Sequence, residues 1–151
     1  MTGRKFSFEV RATSSASAAT LFRLETDGAN WKNWAQPLVL QSSWVRQGEP
    51  APGGIGAIRK VGAGPLMAQE ETIAYEQDRR HAYRLIKPAT ALKDYVGEFE
   101  LFPNFTGGTD VVWRGSFVES LPGTGPIVCA ALRSSIKLFA GKLIKAAEQQ
   151  S

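Results

Sequence analysis

Residues 126–149 read PIVCAALRSSIKLFAGKLIKAAEQ, and this stretch decides the fold. Pro126 suits a first helical position after Thr124-Gly125, and the pattern then stays helical to about Gln149. Val128, Leu132, Ile136, Phe139 and Leu143 recur at three- and four-residue steps, with Ala131 and Ser135 beside them. Arg133, Lys137, Lys145 and Glu148 form the opposite edge, with Gly141 between them. A helix of this length runs roughly 35 Å at 1.5 Å per residue. Its apolar stripe needs a partner.

Upstream, the chain supplies strands. Residues 5–12, KFSFEVRA, alternate strictly, with Phe6, Phe8, Val10 and Ala12 on one side. Ser14 and Ser15 then offer N-caps to a helix carrying Ala18, Leu21, Phe22 and Glu25, stopped by Asp27-Gly28. A second short helical turn, Ala29–Trp34, is closed off by Pro37. Six β-rich runs follow: Val39–Gln47, Ile55–Val61, Met67–Glu76, Arg80–Lys87, Asp94–Phe102 and Thr109–Leu121. Gly, Pro, Asn and Asp clusters punctuate them. The spacing predicts an α+β domain in which a seven-stranded antiparallel sheet is covered by the C-terminal helix, with two short helices between strands 1 and 2. One helix about 10 Å wide cannot fill a broad, twisted concave sheet. The space between them is either packed by large side chains or left as a cavity.

Composition narrows the class. The chain has 151 residues, so one domain over 1–151 is expected. Its 43% hydrophobic, 10% aromatic and 21% charged residues are ordinary for a globular protein. No apolar run approaches the roughly 20 residues that span a bilayer. Met1–Lys5 carries two cations with no apolar stretch behind it, so a secretory signal is not expected and a cytoplasmic location is. One cysteine, Cys129, and one histidine, His81, exclude a disulfide framework and the multi-cysteine or multi-histidine metal sites. Neither a metal nor a cofactor is expected. The net charge is +4, but the densest cations, Arg79, Arg80 and Arg84, sit beside Glu70, Glu71, Glu76 and Asp78. That is no nucleic-acid footprint.

Catalytic motifs are absent. Gly54-x-Gly56-x-x-Arg59 lacks the third glycine of a dinucleotide fingerprint and precedes no helix. His81, flanked by arginines, reads as exposed at a strand start. Cys129, one position off the helix's apolar stripe, reads as a buried, inert thiol.

Four segments carry a family likeness. They are SSASAATLFRLETDGANWKNWAQP (14–37, with Trp34 before Pro37), GAIRK (Gly56–Lys60), EETIAYEQDRRHAYRL (Glu70–Leu85) and GGTDVVWRGSF (Gly107–Phe117). Together with the element order they resemble the START-like helix-grip superfamily (SRPBCC), and within it the polyketide cyclase/dehydrase and lipid-transport group. The resemblance implies a curved sheet wrapped on a C-terminal helix around a ligand cavity. It does not carry an activity across, because this superfamily hosts carriers, cyclases and hydrolases alike.

Strand parity proposes the lining. Successive side chains face opposite ways. On the fourth strand Met67, Gln69, Glu71, Ile73 and Tyr75 make the more apolar face and are expected inward. Tyr83, Tyr95, Phe99, Trp113 and Phe117 follow by the same argument, and the resemblance points Arg59 inward. The expected ligand-binding set is Trp34, Arg59, Glu71, Ile73, Tyr75, Tyr83, Tyr95, Phe99, Trp113, Phe117 and Phe139, with Glu71 and Arg59 its polar pair. Gly97 and Gly115 fall on the inward faces, where a missing side chain leaves room.

Two functions fit such a chamber. One is a carrier or sensor binding a hydrophobic small molecule, lipid or polyketide-like. The other is a polyketide cyclase or dehydratase, with Glu71 as base and Arg59 or a tyrosine hydroxyl stabilising an enolate oxygen. A third reading is a protein-interaction module using the outer surface. Arg133, Lys137, Lys142 and Lys145 read first as a solvated helix edge suited to the helix dipole, with transient contact with an anionic membrane surface as the alternative.

Overall fold

The computed structural model describes residues 3–88 and 92–150, so Met1 and the last residue of the expected 1–151 domain lie outside the described residues. The elements run β1 (Lys5–Ser14), α1 (Ala18–Thr26), a 3-10 turn (Gly28–Asn33), β2 (Gln41–Arg46), β3 (Ile58–Ala63) and β4 (Leu66–Glu76). They continue with β5 (Arg80–Lys87), β6 (Lys93–Pro103), β7 (Thr109–Val118) and α2 (Gly125–Gln149). One seven-stranded sheet has the order β1-β7-β6-β5-β4-β3-β2, and every neighbouring pair is antiparallel. This is the expected helix-grip: chain-adjacent strands pair along a meander, and β1 closes on β7.

The inner face of the sheet packs against α1, the 3-10 turn and α2. Leu21, Phe22, Trp31, Phe99, Trp113, Phe117 and Leu143 are the buried centre of that contact. Each such side chain contributes about 1.5–3 kcal/mol when taken from water. Gly115 and Gly97 sit where aromatic rings cross the sheet. A Cβ at Gly115 would lie 2.4 Å from the Phe8 ring, and one at Gly97 would lie 2.4 Å from the Tyr83 ring.

The cap of α1 is Ser17, whose Oγ accepts from the Thr20 amide, and not Ser14 or Ser15. Ser14 has other partners: its Oγ accepts from the Ala16 amide and donates to Glu148. Glu148 also accepts from the Ser15 amide. The acid expected on the outer edge of α2 therefore ties the helix end to the β1–α1 corner.

One irregularity decides the site. In β4, Thr72 pairs with Tyr83 and Ala74 with Ala82, leaving Ile73 as an extra, unpaired residue. Such a bulge shifts the side-chain alternation by one residue. Ala68, Glu70 and Thr72 consequently face inward before it, and Tyr75 faces inward after it. Glu71 and Ile73, expected inside, lie on the outer face. No helix among the described residues is long and apolar enough to cross a membrane.

Candidate functional site

A chamber of about 290 Å³ lies between β3–β6 and the middle of α2. Leu85 on β5, Leu92 beyond it, and Leu132, Ile136 and Phe139 on α2 give it apolar walls, and Trp31 closes the inner end. Its polar residues are Glu70, Ser135, Tyr83 and Tyr95. Ser135 is engaged with its own helix, donating to the Ala131 carbonyl at 3.0 Å. A mostly apolar pocket with a few convergent polar groups has the character of a small-molecule site.

Behind that polar end runs a line of buried polar contacts. Glu70 and Arg59 are direct cross-strand neighbours of β4 and β3, so they share the inner face. Arg59 Nε donates to Glu70 Oε1 at 2.9 Å. Its Nη1 donates to the Glu25 carbonyl at 2.6 Å and its Nη2 to Glu25 Oε2 at 3.2 Å. Glu25 Oε1 meets His81 Nδ1 at 2.7 Å, and His81 Nε2 meets Thr72 Oγ1 at 2.8 Å. The Arg59 guanidinium is flanked by the Trp31 ring at 4.4 Å and the Tyr83 ring at 4.7 Å. Trp31 is pinned in turn, its Nε1 donating to the Glu25 carbonyl at 2.8 Å.

Electrostatics follow from this packing. Burial pushes the Glu25 carboxyl upward, but the charges of His81 and Arg59 and their hydrogen bonds outweigh it and hold it below the usual range. Burial also works against the Arg59 cation, and Glu70 and Glu25 overcome it, so Arg59 stays charged. Burial raises the phenols of Tyr83 and Tyr95, and the Glu70 charge adds to both. Both therefore remain protonated donors at neutral pH. The Tyr83 oxygen accepts from Trp113 Nε1 at 2.9 Å, which leaves its own proton to give.

The structure separates the expected lining residues. Tyr83, Tyr95 and Phe139 line the chamber. Arg59 points inward as expected but lies behind the Trp31 and Tyr83 rings, paired with Glu70 and Glu25 and not with Glu71. Phe99, Trp113 and Phe117 belong to the packed core: Trp113 stands edge-on to Phe99 and Trp31, and Phe117 stacks on Phe6. Trp34 is half-buried against Trp31, with its Nε1 buried and unpartnered among the described residues. Tyr75 packs on Phe22 and borders a separate cleft beside α1.

Three expectations are corrected. Glu71 lies outside the chamber, bonded to Arg46 at 3.0 Å and Arg84 at 2.6 Å. Ile73, 44% exposed, lies outside as well. His81 is 1% exposed, not a surface residue. Its arginine neighbours misled the sequence reading, although its parity with Tyr83 and Leu85 carries the inward signal. Glu25 was legible too, at three and four residues from Phe22 and Leu21 on the apolar face of α1. Cys129 is half-buried, its Sγ 3.5 Å from the Ser7 carbonyl. Arg133, Lys137 and Lys145 are exposed on the outer face of α2 beside Leu138, and Lys142 is half-buried there. No cluster of three or more His, Cys, Asp or Glu placed to hold a metal occurs among the described residues.

A family model described as polyketide cyclase/dehydrase and lipid transport matches residues 5–148. The Zhui aromatase/cyclase from Streptomyces sp. R1128 superposes with a TM-score of 0.81 at 14% identity, over 97% of this chain and 96% of that one. The crystal structure of Ara h 8.0201 superposes with a TM-score of 0.73 at 18% identity, over 98% of this chain and all of that one. At such identities the likeness is one of fold. No curated protein matches the chain by sequence.

Proposed function

This chain belongs to the polyketide cyclase/dehydrase and lipid-transport family, and from that premise we propose that it binds a compact hydrophobic small molecule between its sheet and α2, as a carrier or sensor. One observation carries the reading. The chamber between the sheet and α2 has aliphatic and aromatic walls, carries Glu70, Tyr83 and Tyr95 as its polar residues, and reaches the surface at Leu66 and Pro88. Its volume of about 290 Å³ lies at the lower bound of ligand pockets, roughly 300–1,000 Å³. That favours two or three fused rings or a short chain over a two-chain lipid. Mass spectrometry of small molecules released from the native protein tests this, together with the tryptophan quench expected when a ligand meets Trp31. A preparation that carries nothing and is not quenched by any fused-ring aromatic or short-chain compound overturns it.

A second reading, cyclase or dehydratase chemistry on a poly-keto chain, is favoured by one placement. Glu70 occupies the position that sequence parity gave to Glu71. Its carboxylate would accept the proton of a carbon beside a ketone, while a Tyr83 or Tyr95 hydroxyl donates to the enolate oxygen that forms. Arg59 would orient the base from behind without touching substrate. Glu70→Gln should then lower turnover of a poly-keto substrate by roughly a hundredfold or more, while Glu71→Gln leaves it unchanged. Equal turnover in both variants rejects this reading.

A further inference from the structure

We infer that the molecule held in this chamber presents a hydrogen-bond-donating head group, a hydroxyl, phenol or ammonium, to Glu70, and that hydrophobes ending in a carboxylate are excluded. The inference rests on the proposal that the chamber is a ligand site, and it specifies the ligand's polar end.

Charge accounting carries it. Among the described residues lining the chamber, Glu70 is the one side chain with a formal charge, and no Lys, Arg or His joins it. The nearest cation, Arg59, is 3% exposed and shielded by the Trp31 and Tyr83 rings. Its charge is already shared by two carboxylates, Glu70 and Glu25. The group facing those carboxylates from the far side is His81, which meets Glu25 at 2.7 Å. A protonated His81 brings the four-residue set to neutrality, and a neutral one leaves it one unit negative. Neither state offers an anion a net positive charge.

The geometry agrees. Glu70 gives Oε1 to Arg59 and keeps lone pairs on a carboxylate whose side chain is 15% exposed, and a carboxylate is an acceptor only. Tyr83 and Tyr95 line the same chamber, with their hydroxyls over Gly97 of β6 and Gly115 of β7. A head group with a proton to give, as an alcohol, phenol or ammonium has, satisfies the free lone pairs of Glu70. A carboxylate has no proton for Glu70 and would bring like charge against it in a poorly hydrated space. Leu85, Leu92, Leu132, Ile136 and Phe139 take the apolar body in either case.

Isothermal titration of naphthalene, 2-naphthylmethanol, 2-naphthylmethylammonium and 2-naphthoate at neutral pH tests this with one ring system. The alcohol and the ammonium should bind the wild-type protein at least about tenfold more tightly than the carboxylate, about 1.4 kcal/mol. Glu70→Gln should close most of that gap by improving 2-naphthoate, whereas Glu71→Gln on the outer face should leave the ranking alone. The wild-type ranking needs no variant, so it decides even where Glu70→Gln fails to fold. Wild-type affinity for 2-naphthoate equal to that for the alcohol overturns the inference, as does an unchanged gap in a folded Glu70→Gln protein. If naphthalene binds while the head groups do not rank, this inference alone falls. If none of the four binds, the proposed chamber function falls with it.

Discussion

Glu25 and His81 meet at 2.7 Å, carboxylate oxygen to Nδ1, across 56 residues of chain, and neither side chain has more than 1% of its surface exposed. The contact joins the face of α1 to the inner face of β5, and Arg59 bridges it to Glu70 on β4. A carboxylate this deep persists only when paired and hydrogen-bonded. Here both oxygens are engaged, by His81 and Arg59, and the second nitrogen of His81 is met by Thr72.

Glu25→Gln should therefore be costly, because it strands Arg59 and His81 beside a neutral amide. Breaking a buried pair by removing one partner costs about 3–5 kcal/mol. The sign of the pH effect follows from the Glu25 carboxyl, held below its ordinary value of 4.5 by His81 and Arg59 against the opposing push of burial. A group with a depressed folded-state pKa contributes stability above its unfolded value, and that contribution is lost as pH falls through the folded value. Resistance of the wild-type protein to thermal unfolding should thus fall as pH drops below about 4.5, and Glu25→Gln should lack that part of the slope. Superimposable acid profiles for the two proteins would refute the assignment.

Glu71→Gln should be close to silent. Its partners Arg46 and Arg84 are each 56% exposed, and ion pairs of that kind are worth about 0–1 kcal/mol. Chemical denaturation should place the variant within that range of wild type, with ligand affinity unchanged. A tenfold loss of affinity would mean that Glu71 reaches the chamber after all.

The contrast between Glu70 and Glu71 shows where sequence reading stops. The antiparallel meander, the long helix and the inward placement of Tyr83 and Tyr95 followed from alternation and turn residues, and that of Arg59 from the family resemblance. Alternation is a local rule, however, and holds only along an unbroken ladder. The extra residue at Ile73 reverses it, so Tyr75 and Glu71 cannot share a face, and no residue type at the bulge announces it. His81 failed for another reason. Neighbouring arginines suggested a surface turn, but a charged strand residue says nothing about the one beside it, which faces the other way. Core and chamber aromatics were inseparable for a third reason. Trp113 and Tyr95 are both buried on inner strand faces, and the distance to α2 decides which one meets open space.

Gly97→Ala tests how tightly the polar end is built. The added Cβ would sit 2.4 Å from Cζ of Tyr83, so the ring must move. Overpacking of this kind costs about 1–3 kcal/mol. Movement also takes the Tyr83 oxygen from Trp113 Nε1, now 2.9 Å away, leaving a buried donor unsatisfied. A lowered melting temperature together with altered tryptophan emission is expected. A variant matching wild type in both would show that the ring has slack the close approach denies.

Leu132→Trp tests the chamber itself. Leu132 is half-buried on α2 and lines the chamber, so an indole there has about 290 Å³ of open space to enter. Filling an existing void avoids the strain of overpacking and commonly adds about 0.5–2 kcal/mol of stability. The substituted protein should unfold at the wild-type temperature or above it, and should lose binding of naphthalene-sized ligands by about tenfold or more. Leu138→Trp, six residues further along and 56% exposed on the outer face, is the matched control and should leave affinity alone. Equal loss in both variants would place the binding site on the surface of the helix. Wild-type affinity in a stable Leu132→Trp protein would place the ligand elsewhere in the molecule.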